Sequence, residues 1–407
     1  MNTSVLRSPV DVDLPRGTPR AARTVLGLLR HLRRGRLDLR LPDGSLLHCG
    51  QGEPQAAATL HDWRACARVL SRGDIGLAEG YIDGLWDSVD LAGLLRVMIA
   101  NRDELESLVY GRWWGQAWYR LRHLLRRNSR AQARRNIRAH YDLGNEFYRL
   151  WLDPSMNYSS AWFEGVFDRP LEQAQDAKVR RALRACGARP GERLLEIGCG
   201  WGALVERAVL DQGATVTAVT LSSEQVAYAR HRLATRGLAD RADLRLQDWR
   251  DIDDGPYDAV CAIEMFEAVG QEYWSDFFGT LRRVLKPGGH ACLQSITIRD
   301  DLFERYVRST DFIQQYIFPG GLLPSKAAFR REAVRAGFAI VDEFAFGPDY
   351  AETLRRWRAR FLAQAEQVRD LGFDTRFLRL WEFYLAYCEA AFDTGNTDVV
   401  QFTLRRS

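Results

Sequence analysis

The sequence predicts an α/β protein whose main domain is a Rossmann-like, mainly parallel sheet with helices on both faces, preceded by a small mixed domain. Three observations lead to this prediction. A chain of 407 residues exceeds the usual size of a single core. From about residue 175, short apolar runs alternate with helical patterns, as in parallel sheets with crossover helices. A glycine-rich turn at residues 198–202 follows the first of these runs.

The sequence predicts two regions within the first 130 residues, a disordered lead and a small folded domain. Residues 1–20 mix proline, aspartate and arginine without an apolar pattern, which is typical of a disordered lead. Residues 21–130 predict a small N-terminal domain, because strand-like alternation is followed there by a turn signal and helical periodicity. Its predicted elements are a strand (37–41), two helices (63–70 and 91–99) and a packed loop with several glycines (79–86).

The end of this domain carries a helical pattern rich in arginine and aromatic residues, over residues 110–138. Tryptophan and leucine form one face, and many arginines lie beside it. Three interpretations stay open. The apolar face packs on the protein, or the helix lies on an anionic membrane surface, or the arginines bind nucleic acid.

Residues 131–407 predict the main domain, in which strands and helices follow one another in order. The Lys-Pro-Gly-Gly run at 286–289 predicts the turn before its last strand. The predicted strands are 193–197, 215–221, 242–246, 257–263 and 290–298, and the predicted helices are 203–210, 224–235 and 273–285.

Cysteine usage and charge restrict the class of protein. The seven cysteines are scattered and none forms a Cys-x-x-Cys pair, so we expect a reducing cytosol and neither a disulfide framework nor a zinc site. No apolar run approaches the roughly 20 residues of a membrane-spanning helix, and the N-terminus lacks the apolar stretch of a signal peptide. We therefore predict a cytoplasmic protein. A net charge of +4 does not by itself indicate an anionic partner.

The glycine-rich turn predicts a nucleotide-like cofactor. Its glycines are spaced Gly-x-Gly-x-Gly, whereas dinucleotide-binding turns read Gly-x-Gly-x-x-Gly. A carboxylate precedes the turn and is placed to accept a hydrogen bond from an ammonium group. Residues 220–225 follow the second strand and are placed to bind ribose hydroxyls, and residues 247–249 follow the third and are placed to enclose an adenine. Together the three segments predict S-adenosyl-L-methionine (SAM) and a class I methyltransferase sheet. The predicted cofactor-binding residues here are Glu196, Gly198, Gly200, Gly202, Thr220, Leu221, Gln225, Asp248 and Trp249.

Four further segments resemble the signature blocks of one family, the cyclopropane-fatty-acyl-phospholipid synthases and the related mycolic acid methyltransferases. The similarity runs from about residue 136 to the C-terminus, and the N-terminal region resembles that of the bacterial phospholipid synthases. The resemblance implies a SAM-dependent C-methyltransferase that acts on the cis double bond of unsaturated acyl chains in membrane phospholipids. It also implies that Tyr158 and Ser159 contact the cofactor. The four segments are residues 139–148, 152–159, 265–270 and 316–325.

The family's reaction implies a substrate at the membrane surface. The sulfonium methyl passes to the alkene and leaves a carbocation, which aromatic faces stabilise. A base then removes a proton from the transferred methyl group, and the cyclopropane ring closes. The resemblance therefore implies a cytoplasmic enzyme held peripherally at the inner face of the membrane, and the sequence leaves a homodimer open. Candidates for the aromatic wall are Tyr158, Trp162, Phe163, Tyr316 and Phe318.

The resemblance also implies a pocket for a bicarbonate ion that serves as this base. The family builds the pocket from a cysteine, a glutamate, a histidine, the main chain of an isoleucine and a tyrosine. Three positions match, as Glu267, Ile296 and Tyr350, whereas Ser160 replaces the cysteine and Gln294 replaces the histidine. Because glutamine carries neither a proton nor a positive charge, bicarbonate binding is in doubt. A late reactive cysteine of the family corresponds to Cys388, whose apolar helical surroundings also suit a structural cysteine.

Two products follow from this pocket. The resemblance implies cyclopropane formation, which we take as the predicted reaction. The alternative, if the altered pocket weakens the base, is a hydride shift with proton loss, which gives a methylene group or, after reduction elsewhere, a methyl branch. A small-amine N-methyltransferase is a further alternative. A nucleic-acid methyltransferase is not expected, because residues 263–267 lack the (Asp/Asn)-Pro-Pro-(Tyr/Phe) motif of amino-directed enzymes.

Overall fold

The computed structural model describes residues 14–15, 17–105 and 143–407, and the structural statements below concern these residues. They divide into two compact units. One contains the described residues up to Leu105 together with Thr375–Ala390, and the other contains the rest. The sequence predicts a single domain over residues 131–407, whereas in the structure Thr375–Ala390 groups with the N-terminal unit. The predicted arginine-rich helix at 110–138 lies outside the described residues.

The N-terminal unit is built on a four-stranded sheet in the order β2-β1-β3-β4. The predicted strand over residues 37–41 is confirmed as β1, which pairs antiparallel with β2 and parallel with β3. Along β1 the apolar Leu37 and Leu39 are buried and alternate with the half-buried polar residues Arg36 and Asp38, as the sequence pattern predicts. The elements are β1 (Gly35–Arg40), β2 (Leu46–Gln51), β3 (Gln55–Leu60), β4 (Trp86–Asp87), α1 (Arg20–Leu29), α2 (Arg64–Arg72), α3 (Asp74–Ile82) and α4 (Leu91–Ala100).

The prediction of a loop over residues 79–86 is wrong for its first half, which completes helix α3. Gly80, which suggested a loop, permits close packing instead, and so does the preceding Gly76 on the same helix. A Cβ atom at Gly80 would lie 3.0 Å from the indole ring of Trp86, and one at Gly76 would lie 2.1 Å from the main-chain oxygen of Arg68. Close approach between elements therefore overrides the low helix propensity of glycine here.

The second unit is built on a seven-stranded sheet in the order β10-β11-β9-β8-β5-β6-β7. The five neighbouring strands β9, β8, β5, β6 and β7 are mutually parallel. Strand β11 pairs antiparallel with β9, and β10 pairs antiparallel with β11. The predicted strands are confirmed, and β9 begins earlier than expected because it includes the Lys-Pro-Gly-Gly run. The strands are β5 (Arg193–Ile197), β6 (Thr215–Thr220), β7 (Ala242–Leu246), β8 (Tyr257–Ile263), β9 (Leu285–Ile298), β10 (Phe338–Ala345) and β11 (Thr397–Arg406).

Helices cover both faces of this sheet and form a hydrophobic layer on each. Neighbouring residues of a strand face opposite layers, so Leu194 of β5 packs into one and Leu195 into the other. None of the described helices is both long enough and apolar enough to cross a membrane. The helices after residue 143 are α5 (Asn145–Arg149), α6 (Leu171–Cys186), α7 (Ala203–Gln212), α8 (Ser223–Thr235), α9 (Trp274–Val284), α10 (Asp300–Arg308), α11 (Phe312–Tyr316), α12 (Lys326–Arg335), α13 (Gly347–Ala363), α14 (Ala365–Asp370) and α15 (Thr375–Asp393).

Candidate active site

The glycine-rich turn joins β5 to α7 at the carboxyl end of the parallel strands, where open α/β sheets bind ligands. Gly198, Gly200 and Gly202 all have positive φ angles, of 86°, 49° and 84°. A Cβ atom at Gly202 would lie 2.9 Å from that of Ala229, whereas one at Gly200 would meet no atom within 4 Å. A Cβ atom at Gly198 would likewise lie 3.0 Å from that of Met265. The turn therefore packs closely at both ends and leaves space for a ligand in the middle.

Glu196, which precedes the turn, has the properties expected for binding the cofactor's ammonium group. The residue is 3% exposed, and its atom Oε2 is buried without a hydrogen-bond partner among the described residues. Burial raises the pKa of this carboxyl to about 8. Because an unsatisfied buried oxygen is costly, a donor supplied by the ligand would relieve it. The site thus fits a cofactor that carries an ammonium group.

The two other predicted cofactor segments lie at the ends of β6 and β7. Thr220 donates from Oγ1 to Oε1 of Gln225 at 2.9 Å, so one side chain orients the other. Asp248 accepts from the guanidinium of Arg250 and from its main-chain N–H, and these bonds fix its carboxylate. Trp249 is buried, with its ring 5.3 Å from that of Phe277. The segments occupy their expected positions, and the predicted ribose and adenine contacts stay predictions.

A carboxylate that the sequence reasoning did not single out, Glu264, lies at the centre of the second site. Three donors converge on it. Oε1 accepts from the main-chain N–H of Ser160 at 2.9 Å and from Nε2 of Gln294 at 2.7 Å. Oε2 accepts from the hydroxyl of Tyr350 at 2.6 Å. Three of the five predicted pocket residues therefore meet at one protein carboxylate.

The backbone of Glu264 is unusual for a residue with a side chain. Its φ angle is 49°, in the left-handed region that favours glycine. Such a conformation costs of order 1 kcal/mol or more in a residue with a Cβ atom and is found most often at functional sites. Its carboxylate lies where three donors from other segments converge. A carboxylate on such a strained backbone is a candidate functional group.

The other two predicted pocket residues, Glu267 and Ile296, contact each other. Oε1 of Glu267 accepts from the main-chain N–H of Ile296 at 2.5 Å and from the hydroxyl of Ser295 at 3.1 Å. Its Oε2 is buried without a partner among the described residues. Burial and the neighbouring charge of Glu264 raise the pKa of Glu267 to about 8. Burial raises the pKa of Glu264 as well, but the hydrogen bonds from Tyr350, Ser160 and Gln294 and the charge of Lys178 oppose that rise. Within the pair, Glu264 is therefore the carboxyl whose ionised form is better stabilised.

Contacts from β11 fix the orientation of the Gln294 amide. Gln401 lies opposite Gln294 in the β9–β11 register, and its Nε2 donates to Oε1 of Gln294 at 3.0 Å. Arg181 donates to Oε1 of Gln401 at 2.6 Å. Because Oε1 of Gln294 is already used as an acceptor, its Nε2 group faces Glu264 as a donor. The C-terminal strand thus prepares this site for an anion.

Aromatic rings connect the predicted cofactor contact Tyr158 with Tyr350. Trp357, on α13, lies between them, with ring-centre distances of 5.5 Å to Tyr158 and 6.2 Å to Tyr350. Phe392 packs on the other side of Tyr350 at 4.4 Å. The main chain next to Ser160 is fixed to the same helix, because Ala161 N–H donates to Thr353 Oγ1 at 3.1 Å. The result is an aromatic wall that ends at a carboxylate.

Cys388 lies on α15, in the stretch that groups with the N-terminal unit, and its proposed reactivity stays a prediction. Sequence reasoning missed Glu264 and Trp357. A signal for the first was present, since Glu264 directly follows β8 and lies three residues before Glu267. Among the described residues, no group of three His, Cys, Asp or Glu side chains is arranged to hold a metal ion.

Comparison with known proteins identifies the family. The model of the mycolic acid cyclopropane synthetase family matches residues 128–402. A tuberculostearic acid methyltransferase of Mycobacterium tuberculosis is 41% identical over 98% of this chain and 95% of its own length. The cyclopropane-fatty-acyl-phospholipid synthase of Escherichia coli K12 is 34% identical over 83% of this chain and 85% of its own.

A solved structure supports the same assignment. The mycolic acid cyclopropane synthase CmaA1, complexed with SAH and CTAB, superimposes with a TM-score of 0.63 at 34% identity, covering 67% of this chain and 98% of its own. The predicted fold, cofactor and enzyme class are confirmed. This chain belongs to the mycolic acid cyclopropane synthetase family and is a SAM-dependent methyltransferase.

Proposed function

We propose that this enzyme transfers the methyl group of SAM to the cis double bond of an acyl chain in a membrane phospholipid, at the cytoplasmic membrane surface, and forms a methylene-branched chain. The observation that carries the proposal is Glu264, a protein carboxylate held by the residues that correspond to the family's bicarbonate pocket. The E. coli relative, named as a phospholipid synthase, supports the substrate class.

The geometry suits attack by an alkene. An alkene is a weak nucleophile, so positioning and the exclusion of water must supply much of the rate. Methyl transfer creates a positive charge on the neighbouring carbon. The faces of Tyr158 and Trp357 and the charge of Glu264 are arranged to stabilise it.

Glu264 also leaves little capacity for bicarbonate. Ser160, Gln294 and Tyr350 already donate to Glu264, and the Ile296 N–H donates to Glu267. A bound bicarbonate would lack these donors and would add a negative charge beside a buried carboxylate pair, which is unfavourable. We infer that Glu264 itself accepts the proton.

The steps balance as follows. The π electrons of the alkene form the new C–C bond, the C–S bond of SAM breaks, and the sulfur keeps its electron pair. A hydride shift from the methylated carbon to its neighbour moves the positive charge onto the methylated carbon. Glu264 then takes a proton from the new methyl group, and that C–H pair becomes the double bond of a methylene group.

The comparison across the whole chain favours this branch over ring closure. The relative that covers 98% of the chain is named a methyltransferase rather than a cyclopropane synthase. Ser160 and Gln294, which differ from the cyclopropane pocket, are the residues that hold Oε1 of Glu264. A carboxylate attached to the backbone cannot follow the methyl group as a small ion can, so the hydride shift has time to precede deprotonation.

The test uses phospholipid vesicles whose acyl double bond carries deuterium on both carbons, with purified enzyme and SAM. We expect products with a terminal methylene group, identified by NMR, and with deuterium moved to the neighbouring carbon. A cyclopropane product with both deuterium atoms in place would overturn the branched assignment. Methylation only of a small amine, offered in parallel, would overturn the acyl assignment as well.

A further inference from the structure

A lysine is enclosed next to both sites. Lys178 lies in α6 and is 0% exposed. The chain has only two other lysines, Lys286 and Lys326, which are partly exposed and paired with aspartates. Burying an ammonium group is costly unless opposite charges and acceptors surround it. The position of Lys178 therefore needs an explanation.

Its contacts reach the segment that leads into the pocket. Nζ donates to Oγ of Ser159 at 2.5 Å and lies 3.4 Å from Oδ1 of Asn157. One turn earlier on the same helix, Nε2 of Gln175 donates to the main-chain oxygen of Ser159 at 2.8 Å. Helix α6 thus fixes the residue that precedes Ser160, whose N–H binds Glu264.

Its charge faces carboxylates from three segments. Glu264 follows β8, Glu196 precedes the cofactor turn, and Asp153 begins the signature segment, and all three interact electrostatically with Lys178. Burial lowers the pKa of Lys178 to about 8, while these carboxylates oppose the change. The lysine is therefore protonated at neutral pH, and its charge acts on a carboxylate of the cofactor turn and on one of the pocket.

We propose that Lys178 is a positioning residue that keeps Glu264 in its ionised, proton-accepting form and holds Ser159 in place beside it. The inference rests on the proposed role of Glu264 as the base. The groups that face Glu264 are the Tyr350 hydroxyl, the Gln294 amide, the Ser160 N–H, the charge of Lys178 and the carboxyl of Glu267. Among them Lys178 supplies the only full positive charge acting on Glu264.

The sign of the effect follows from these groups. Burial raises the pKa of Glu264, and the hydrogen bond from Tyr350 and the charge of Lys178 lower it. Without that charge, Glu264 would take up a proton at a higher pH. Activity that requires the ionised carboxylate would then be lost at a higher pH on the acid side.

The test compares two substitutions of Lys178 by the pH dependence of methyl transfer to unsaturated vesicles at saturating SAM. Lys178→Gln keeps a donor for Ser159 but removes the charge, so we expect the acid limb to move up by about one pH unit or more. Lys178→Arg keeps the charge, and its acid limb should stay in place. Lys286→Met, which removes a surface charge, is the matched control and should not alter the profile.

A double-mutant cycle separates this role from a structural one. If Lys178 acts through Glu264, adding Lys178→Gln to Glu264→Gln should reduce the rate by less than about twofold further. Two results would overturn the inference. One is a double variant whose loss of rate equals the product of the losses in the two single variants, and the other is a Lys178→Gln enzyme whose pH profile has an unshifted acid limb. If Lys178→Gln does not fold, as judged by its thermal unfolding, a shifted acid limb in Lys178→Arg overturns it. Wild-type enzyme inactive on acyl vesicles would instead contradict the proposed function.

Discussion

Replacing Glu264 with glutamine removes the proposed base while keeping the length of the side chain. The glutamine oxygen still accepts from Ser160, so the segment that carries Ser160 should stay in place. What is lost is a negative charge beside the developing cation and the acceptor for the proton. General-base catalysis typically contributes about 10²–10⁴-fold, which corresponds to about 3–5 kcal/mol of transition-state stabilisation. We therefore expect Glu264→Gln to lower kcat by at least about 100-fold.

The assay follows radiolabelled methyl from SAM into vesicles of unsaturated phospholipid. SAM binding, measured by calorimetry, should change little, because Glu264 follows β8 and is not part of the glycine turn after β5 that holds the cofactor. Glu304→Gln is the matched control, since Glu304 is exposed and belongs to neither site. A Glu264→Gln enzyme that keeps half or more of the wild-type kcat would refute the assignment of Glu264 as the base.

Three further outcomes are expected. Tyr350→Phe removes the 2.6 Å hydrogen bond that lowers the pKa of Glu264, so the acid limb of the kcat profile should move to higher pH and kcat should fall about tenfold; an unmoved limb counts against the contact. The pKa of Glu267 is raised to about 8 in the folded protein, so the unfolded chain releases this proton at a lower pH and the stability of the fold falls as the pH rises from about 4.5 to 8. Glu267→Gln should flatten this fall of Tm with pH. A variant with the same dependence of Tm on pH as the wild type would contradict the assignment. Gly202→Ala, at a φ of 84° and with 2.9 Å to a neighbouring Cβ, should weaken SAM binding in calorimetry, whereas Gly279→Ala, which meets open space, should not; equal effects would remove the special role of the turn.

The sheet could be predicted from the sequence because its strands are short, apolar and separated by strong helix patterns. The strand at residues 193–197, for example, has the predicted bounds. The cofactor turn was equally predictable, since positive φ angles at closely spaced positions require glycines. These features depend on local chemistry, which a single sequence displays.

Features that depend on contacts between distant segments were not predictable in the same way. The proposed role of Glu264 depends on hydrogen-bond donors from three other segments, including Tyr350, which is 86 residues away. Glycines at residues 80 and 84 suggested a loop, yet Gly80 allows a helix to pack against Trp86. The grouping of Thr375–Ala390 with the N-terminal unit also has no local signal, because its helix pattern fits either unit.

One further expectation concerns the binding of an anion by the pocket when the carboxylate of Glu264 is absent. Glu264→Gly removes the carboxylate and relieves the strain of a φ angle of 49°. The three donors would then lack their acceptor, and added bicarbonate should restore part of the lost methyl transfer. Failure of any small anion to restore activity in a folded Glu264→Gly enzyme would contradict an anion-binding pocket.

The central claim is that this enzyme carries its own base, and wild-type activity with and without bicarbonate tests it most directly. Methyl transfer to unsaturated vesicles is measured in buffer freed of carbon dioxide and again after bicarbonate is added. We predict equal rates, because the donors are already bound to Glu264 and Glu267. A rate that collapses without bicarbonate and returns with it would contradict the claim.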